Sequence, residues 1–111
     1  MKVSEFLIEA KGVISKSENW AQGSYARDSA GVGVDTSSGR ATCFCSLGAI
    51  EVVRWDSKHR GLPVGIAGKA AYQLGRVMGG ISKFNDSNSH EDVMAKWDEA
   101  IEAAKAVEDF Q

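Results

Sequence analysis

The last quarter of the chain constrains the fold most. From Ser89 onward, Val93, Trp97, Ala100, Ile101, Ala104 and Val107 recur at three- and four-residue intervals. That spacing puts side chains on one stripe of an α-helix, and polar residues fill the positions between. Ser89 stands at an N-cap position, and Asp92 three residues later forms a capping box with Asp in place of the usual Glu or Gln. Glu91 and Asp92 also suit the positive end of the helix dipole. The apolar stripe of such a helix must be buried against other elements.

Three further segments can supply those partners. The first helix is predicted over Ser4 to Ser15, with Phe6, Leu7, Ala10, Val13 and Ile14 on one face, Ser4 as N-cap and Gly12 weakening the last turn. The second runs from about Ser46 to Trp55. Leu47, Ile50, Val53 and Arg54 share its stripe, and Ala49 and Val52 widen it, which predicts a central helix. The third covers about Ile66 to Met78 and stops at Gly79-Gly80. Its interior glycines, Gly68 and Gly75, each cost about 1 kcal/mol against alanine and predict close approach of another element. Between the second and third lies a loop, "DSKHRGLP", carrying the only proline, Pro63.

Between Asn19 and Thr42 the pattern changes to a Gly-, Ser- and Asp-rich stretch. Tyr25 and Arg27, then Val32 and Val34, alternate as two short strands would around a Ser-Ala-Gly turn. A loop pinned by Trp20 and Tyr25 fits as well, because two strands alone are marginal. The fold expected is mainly α: a single domain over residues 1–111 of about four helices, with a short irregular or β-hairpin insertion after helix 1. A chain of 111 residues that is 43% hydrophobic suits one such core.

The formal net charge is −2, and no clustered cationic face is visible. Arg54, Lys58, His59 and Arg60 are interrupted by Asp56 and read as a solvated loop, so no nucleic-acid partner is expected. No apolar run approaches the ~18 residues of a membrane span. The N-terminus, with Glu5, does not read as a signal peptide. The expected compartment is the cytoplasm, where Cys43 and Cys45 stay reduced. A bridge between them is also poor geometry, because residues two apart in an extended segment have Cα atoms about 6.5 Å apart and parallel side chains.

Several blocks occur in a fixed order: Trp20-Ala21-Gln22-Gly23; Ala26 and Asp28; Phe44-Cys45-Ser46-Leu47-Gly48-Ala49-Ile50; Phe84-Asn85-Asp86; His90-Glu91-Asp92-Val93; Asp98-Glu99-Ala100-Ile101. This order resembles a family of small uncharacterised proteins from bacteria and their phages, with W-x-Q-G, A-x-D, a Cys-x-x-Gly-Ala block, (W/F)-N-D and H-E-x-V blocks. The resemblance spans about Leu7 to Ala104. It implies a mostly helical single domain and no known activity. The family's cysteine corresponds to Cys45, which leaves Cys43 incidental. The third helical segment matches none of its blocks.

Reactive chemistry would centre on Cys45 at the start of the second helix, where N–H groups and the dipole lower a thiol pKa. His90 would be its base, with Asn85 or Asp86 orienting that base. Against this, cysteine is among the most buried residue types, and Gly48 in the first turn calls for a close backbone contact. Cys45 is therefore expected to be buried and unreactive, so that Cys45→Ser would strand a hydroxyl and cost more than Cys45→Ala. Cys43, Cys45, His59 and His90 lack zinc-ligand spacing. Glu91, Asp92, Asp86 and Asp98 form no calcium loop. "VGIAGKAA" fails as a phosphate loop twice, at Pro63 and Ala70. No metal or cofactor is expected.

A polar and aromatic set beside helix ends is the remaining candidate for ligand binding: Trp20, Gln22, Asp28, Asn85, Asp86 and His90. The alternative is that these groups cross-link the loops. The sequence favours a non-catalytic binding protein acting on a protein or a small ligand. The competing reading is a thiol-dependent hydrolase or transferase using Cys45 and His90. A homodimer through the glycine-marked third helix is expected.

Overall fold

A computed structural model of the chain describes residues 1–56 and 65–108. Its helices are α1 (Val3–Val13), α2 (Ser46–Trp55), α3 (Ile66–Met78), α4 (Ile81–Ser87) and α5 (His90–Glu108). A 3₁₀ turn, Ser17–Asn19, follows α1. Three short strands, β1 (Ala26–Arg27), β2 (Gly33–Val34) and β3 (Cys43–Phe44), precede α2. The basic cluster through Lys58, His59 and Arg60, the Pro63 loop and the start of the "VGIAGKAA" stretch lie outside the described residues.

The stripe read in α5 is the centre of the core. Val93, Trp97, Ala100, Ile101 and Ala104 are buried, and α5 packs on α1 and α3 while α1 also packs on α2. Phe6, Leu7 and Ala10 of α1, Ala49, Ile50 and Val53 of α2, and Leu74 and Met78 of α3 complete one cluster. Ser89 caps α5 as expected, its hydroxyl accepting from Asp92 N–H at 3.1 Å. Val107 departs from the expected stripe and is exposed. Arg54 likewise lies on the solvent side of α2.

The insertion is a sheet ordered β2-β1-β3, antiparallel throughout. Ala26 pairs with Val34 on one side and Phe44 on the other. The Cys43–Phe44 strand, unseen in the sequence pattern, gives the hairpin the third strand it needed. Asp28 shapes the turn: its Oδ1 accepts from Ala30 and Val32 N–H at 2.9 Å each, and Gly31 takes φ 82°, a left-handed value that suits glycine.

The mainly α reading stands, with one more helix than the sequence showed. Gly79 (φ 75°) and Gly80 (φ 142°) end α3, but the chain restarts at once as α4. That helix offers only Ile81 and Phe84 to the core, too few for a periodic signal. The expected cap of α1 is also corrected. Lys2 is the N-cap residue. Ser4 lies inside the helix, where its N–H and hydroxyl donate to the Glu108 carboxylate at 3.0 and 2.6 Å. Burial alone would raise the Glu108 pKa, but the Ser4 donors, Lys2 and Lys105 together hold it below the usual range.

The glycines divide. A Cβ at Gly48 would sit 2.1 Å from the Tyr25 carbonyl oxygen and 3.3 Å from Phe44 Cβ, so the close contact expected there exists. Gly75 faces Ile81 at 3.8 Å, while at Gly68 no other described residue lies within 4 Å of the Cβ position, so the approach expected there is not made among the described residues. Among the described residues no helix is long and apolar enough to cross a membrane.

Candidate functional site

Asn85, fully buried on α4, gathers most of the polar set. Its Oδ1 accepts from Trp20 Nε1–H (2.8 Å), Ser46 N–H (3.0 Å) and the Ser46 hydroxyl (2.8 Å). Its Nδ2 donates to the Ala21 carbonyl (2.9 Å) and Asp86 Oδ1 (3.0 Å). The amide orientation is fixed by chemistry: two partners of Oδ1 are N–H donors, and both partners of Nδ2 are acceptors. Ser46 Oγ in turn accepts from Trp97 Nε1–H at 3.1 Å. One chain of hydrogen bonds thus joins Trp20, Asn85, Ser46 and Trp97. It also satisfies the first N–H of α2, a group that no local residue in the helix could reach.

The neighbours reinforce this hub. Gln22 Nε2 donates to the carbonyls of Asn85 (3.1 Å) and Asn88 (3.0 Å). Asp86 Oδ1 accepts from Gly23 N–H at 2.9 Å. His90 Nε2 lies 2.7 Å from the Ile14 carbonyl, an acceptor only, so Nε2 carries the proton. The His90 ring packs on Trp20 with centroids 5.4 Å apart. Trp20, Gln22, Asn85, Asp86 and His90 are therefore brought together, and each uses polar atoms on the protein itself. Asp28 belongs to the hairpin turn instead.

Cys45 is the N-cap of α2, and its thiol accepts from Gly48 N–H at 3.3 Å. It is buried, and desolvation pushes the thiol above its ordinary value, outweighing the Gly48 and Leu47 N–H groups that favour thiolate. Cys43 and Cys45 are both free thiols. The cap role overturns one expectation: a serine hydroxyl at 45 would inherit the Gly48 donor rather than stand unpaired. The side chains of Cys45 and His90 bond elsewhere, Cys45 to Gly48 N–H and His90 to the Ile14 carbonyl. No cluster of three metal-ligating side chains occurs among the described residues.

Sequence reading missed a second region. The exposed face of α3 and the ends of α1 and α5 enclose a groove of about 650 Å³. Tyr72 is 69% exposed on one wall and Val107 52% exposed on the other. The available signal was Lys69, Tyr72, Gln73 and Arg76 recurring at helical spacing on a segment without any family block.

The chain belongs to a family of unknown function (DUF6197), whose model matches residues 1–103. The hub lies inside the matched residues; Ala104, Val107 and Glu108 of the groove lie beyond them. No curated protein and no solved structure matches the chain.

Proposed function

We infer that this chain is a small, non-catalytic binding protein of a bacterial or phage cytoplasm. One observation carries the reading: the candidate thiol Cys45 and its candidate base His90 are each engaged by the protein itself, while exposed cationic and aromatic side chains line the α3–α5 groove. The Cys45 thiol is desolvated and serves a helix cap. His90 is spent on Ile14 and Trp20. A nucleophile needs the opposite setting, an accessible thiol with lowered pKa beside a base. The block resemblance supports the bacterial or phage setting.

Thiol alkylation of a Cys43→Ser variant against pH tests this. Cys45 is expected to stay unlabelled at neutral pH on the timescale on which a free thiol reacts. Rapid labelling that slows in His90→Ala would overturn the reading and put a thiol-dependent hydrolase or transferase in its place.

A further inference from the structure

The groove has a length, a charge pattern and a glycine in its wall that together specify an occupant. Its α3 wall is formed by Gly65, Gly68, Lys69, Tyr72, Gln73 and Arg76, a single helical face of about 16 Å at 1.5 Å per residue. Lys69 and Arg76 stand two turns apart on that face, on either side of Tyr72. Neither has an ion-pair partner among the described residues. Among the described residues, Arg76 lies over the Tyr72 ring, at 6.0 Å. Among the described lining residues the one acid is Glu108, and its carboxylate accepts from Ser4.

Gly68 adds an independent mark. A glycine inside a helix costs about 1 kcal/mol. At Gly48 that cost accompanies a backbone contact, but at Gly68 no other described residue comes within 4 Å of the Cβ position. A glycine in a groove wall lets another backbone approach closely.

We propose that the groove binds an amphipathic helix of a partner protein that carries two carboxylates about two turns apart with apolar side chains between them. The carboxylates meet Lys69 and Arg76, and the apolar side chains pack on Tyr72, Gly68 and Val107. This is the helix-in-groove mode of recognition. A second copy of this chain fits worse. A two-fold axis near Tyr72 would bring Lys69 of one copy against Arg76 of the other, and facing like charges oppose association. The proposal rests on the binding-protein reading and names its partner's chemistry.

The test is a nuclear magnetic resonance titration of the full chain with a stapled helical peptide of about 14 residues bearing two glutamates seven apart around leucines. A control peptide carries lysines in their place. The glutamate peptide is expected to shift the Gly68, Tyr72 and Arg76 amides saturably. Its affinity should fall at least about tenfold in Lys69→Glu/Arg76→Glu, with an unchanged melting curve, and should weaken with added salt. Absence of saturable shifts up to about 1 mM, equal binding of the lysine peptide, or shifts confined to another face would overturn the proposal. Sedimentation showing a dimer that Tyr72→Ala dissociates would overturn it in favour of a second copy. Failure of peptide binding with an inert Cys45 sinks this inference and leaves the non-catalytic reading, whereas a fast-reacting Cys45 does the reverse.

Discussion

The Asn85 hub and the α3–α5 groove treat polar groups in opposite ways. At the hub every buried side-chain donor and acceptor finds a protein partner, as it does throughout the described residues. Asn85 alone makes five side-chain hydrogen bonds, to Trp20, Ala21, Ser46 and Asp86. In the groove, cations and an aromatic ring face outward with little to hold them. A closed network is expensive to break and has nothing left for a ligand; an open face costs little to change and is free to bind. The blocks that looked most like a site in the sequence are thus largely framework. The segment that matched no block carries the open face.

Substitutions across the two regions can break this contrast. The largest losses belong to the hub. Asn85→Ala strands Ser46 N–H, Trp20 Nε1–H and the Ala21 carbonyl, at about 1–3 kcal/mol for each buried group. Trp97→Ala empties the core and breaks the bond to Ser46, at about 3–5 kcal/mol. Denaturant melts should show either variant unfolded or severely weakened; an unchanged midpoint would show that the hub is not framework.

Next comes Gly48→Ala. The added Cβ collides with the Tyr25 carbonyl, and overpacking of about 1–3 kcal/mol exceeds the helix gain of about 1 kcal/mol. The paired change Gly68→Ala should stabilise by up to about 1 kcal/mol, because no other described residue lies within 4 Å of the added Cβ. Thermal melts of the two variants should move in opposite directions.

Cys45 gives a smaller, pH-dependent effect. Cys45→Ala loses the cap of α2, about 1 kcal/mol, and Cys45→Ser loses less because the hydroxyl can accept from Gly48 N–H. The folded thiol pKa is raised above the ordinary value of 9.0, so the folded state holds its proton longer than the unfolded chain does. Stability is therefore flat below that value and falls as pH rises through it. Urea melts from pH 7 to 10.5 should show a decline that Cys45→Ala reduces. The smallest effects belong to the groove, where Lys69→Glu and Tyr72→Ala should each stay within about 0.5 kcal/mol of the parent. A larger loss would mean that this face is structural after all.

The sequence by itself determined the helical core. Period-3.6 patterns placed α2 and α3 at Ser46–Trp55 and Ile66–Met78, and the start of α5 followed from Ser89, because apolar spacing and local caps are written within one turn of chain. It also indicated that Gly48 needs a close contact and that Cys45 is buried. Only the tertiary structure decided how two helix starts are satisfied. Asn85 takes the first N–H of α2 from 39 residues away, and Glu108 takes the Ser4 N–H of α1 from 104 residues away. A local pattern cannot reveal a cap supplied by a distant segment. α4 was hidden for a related reason, since seven residues with two core contacts carry no period. Val107 marks the remaining limit: its spacing continues the buried stripe, but whether a residue on that stripe is covered depends on where the neighbouring helices end, and past Ala104 they leave it open beside Tyr72.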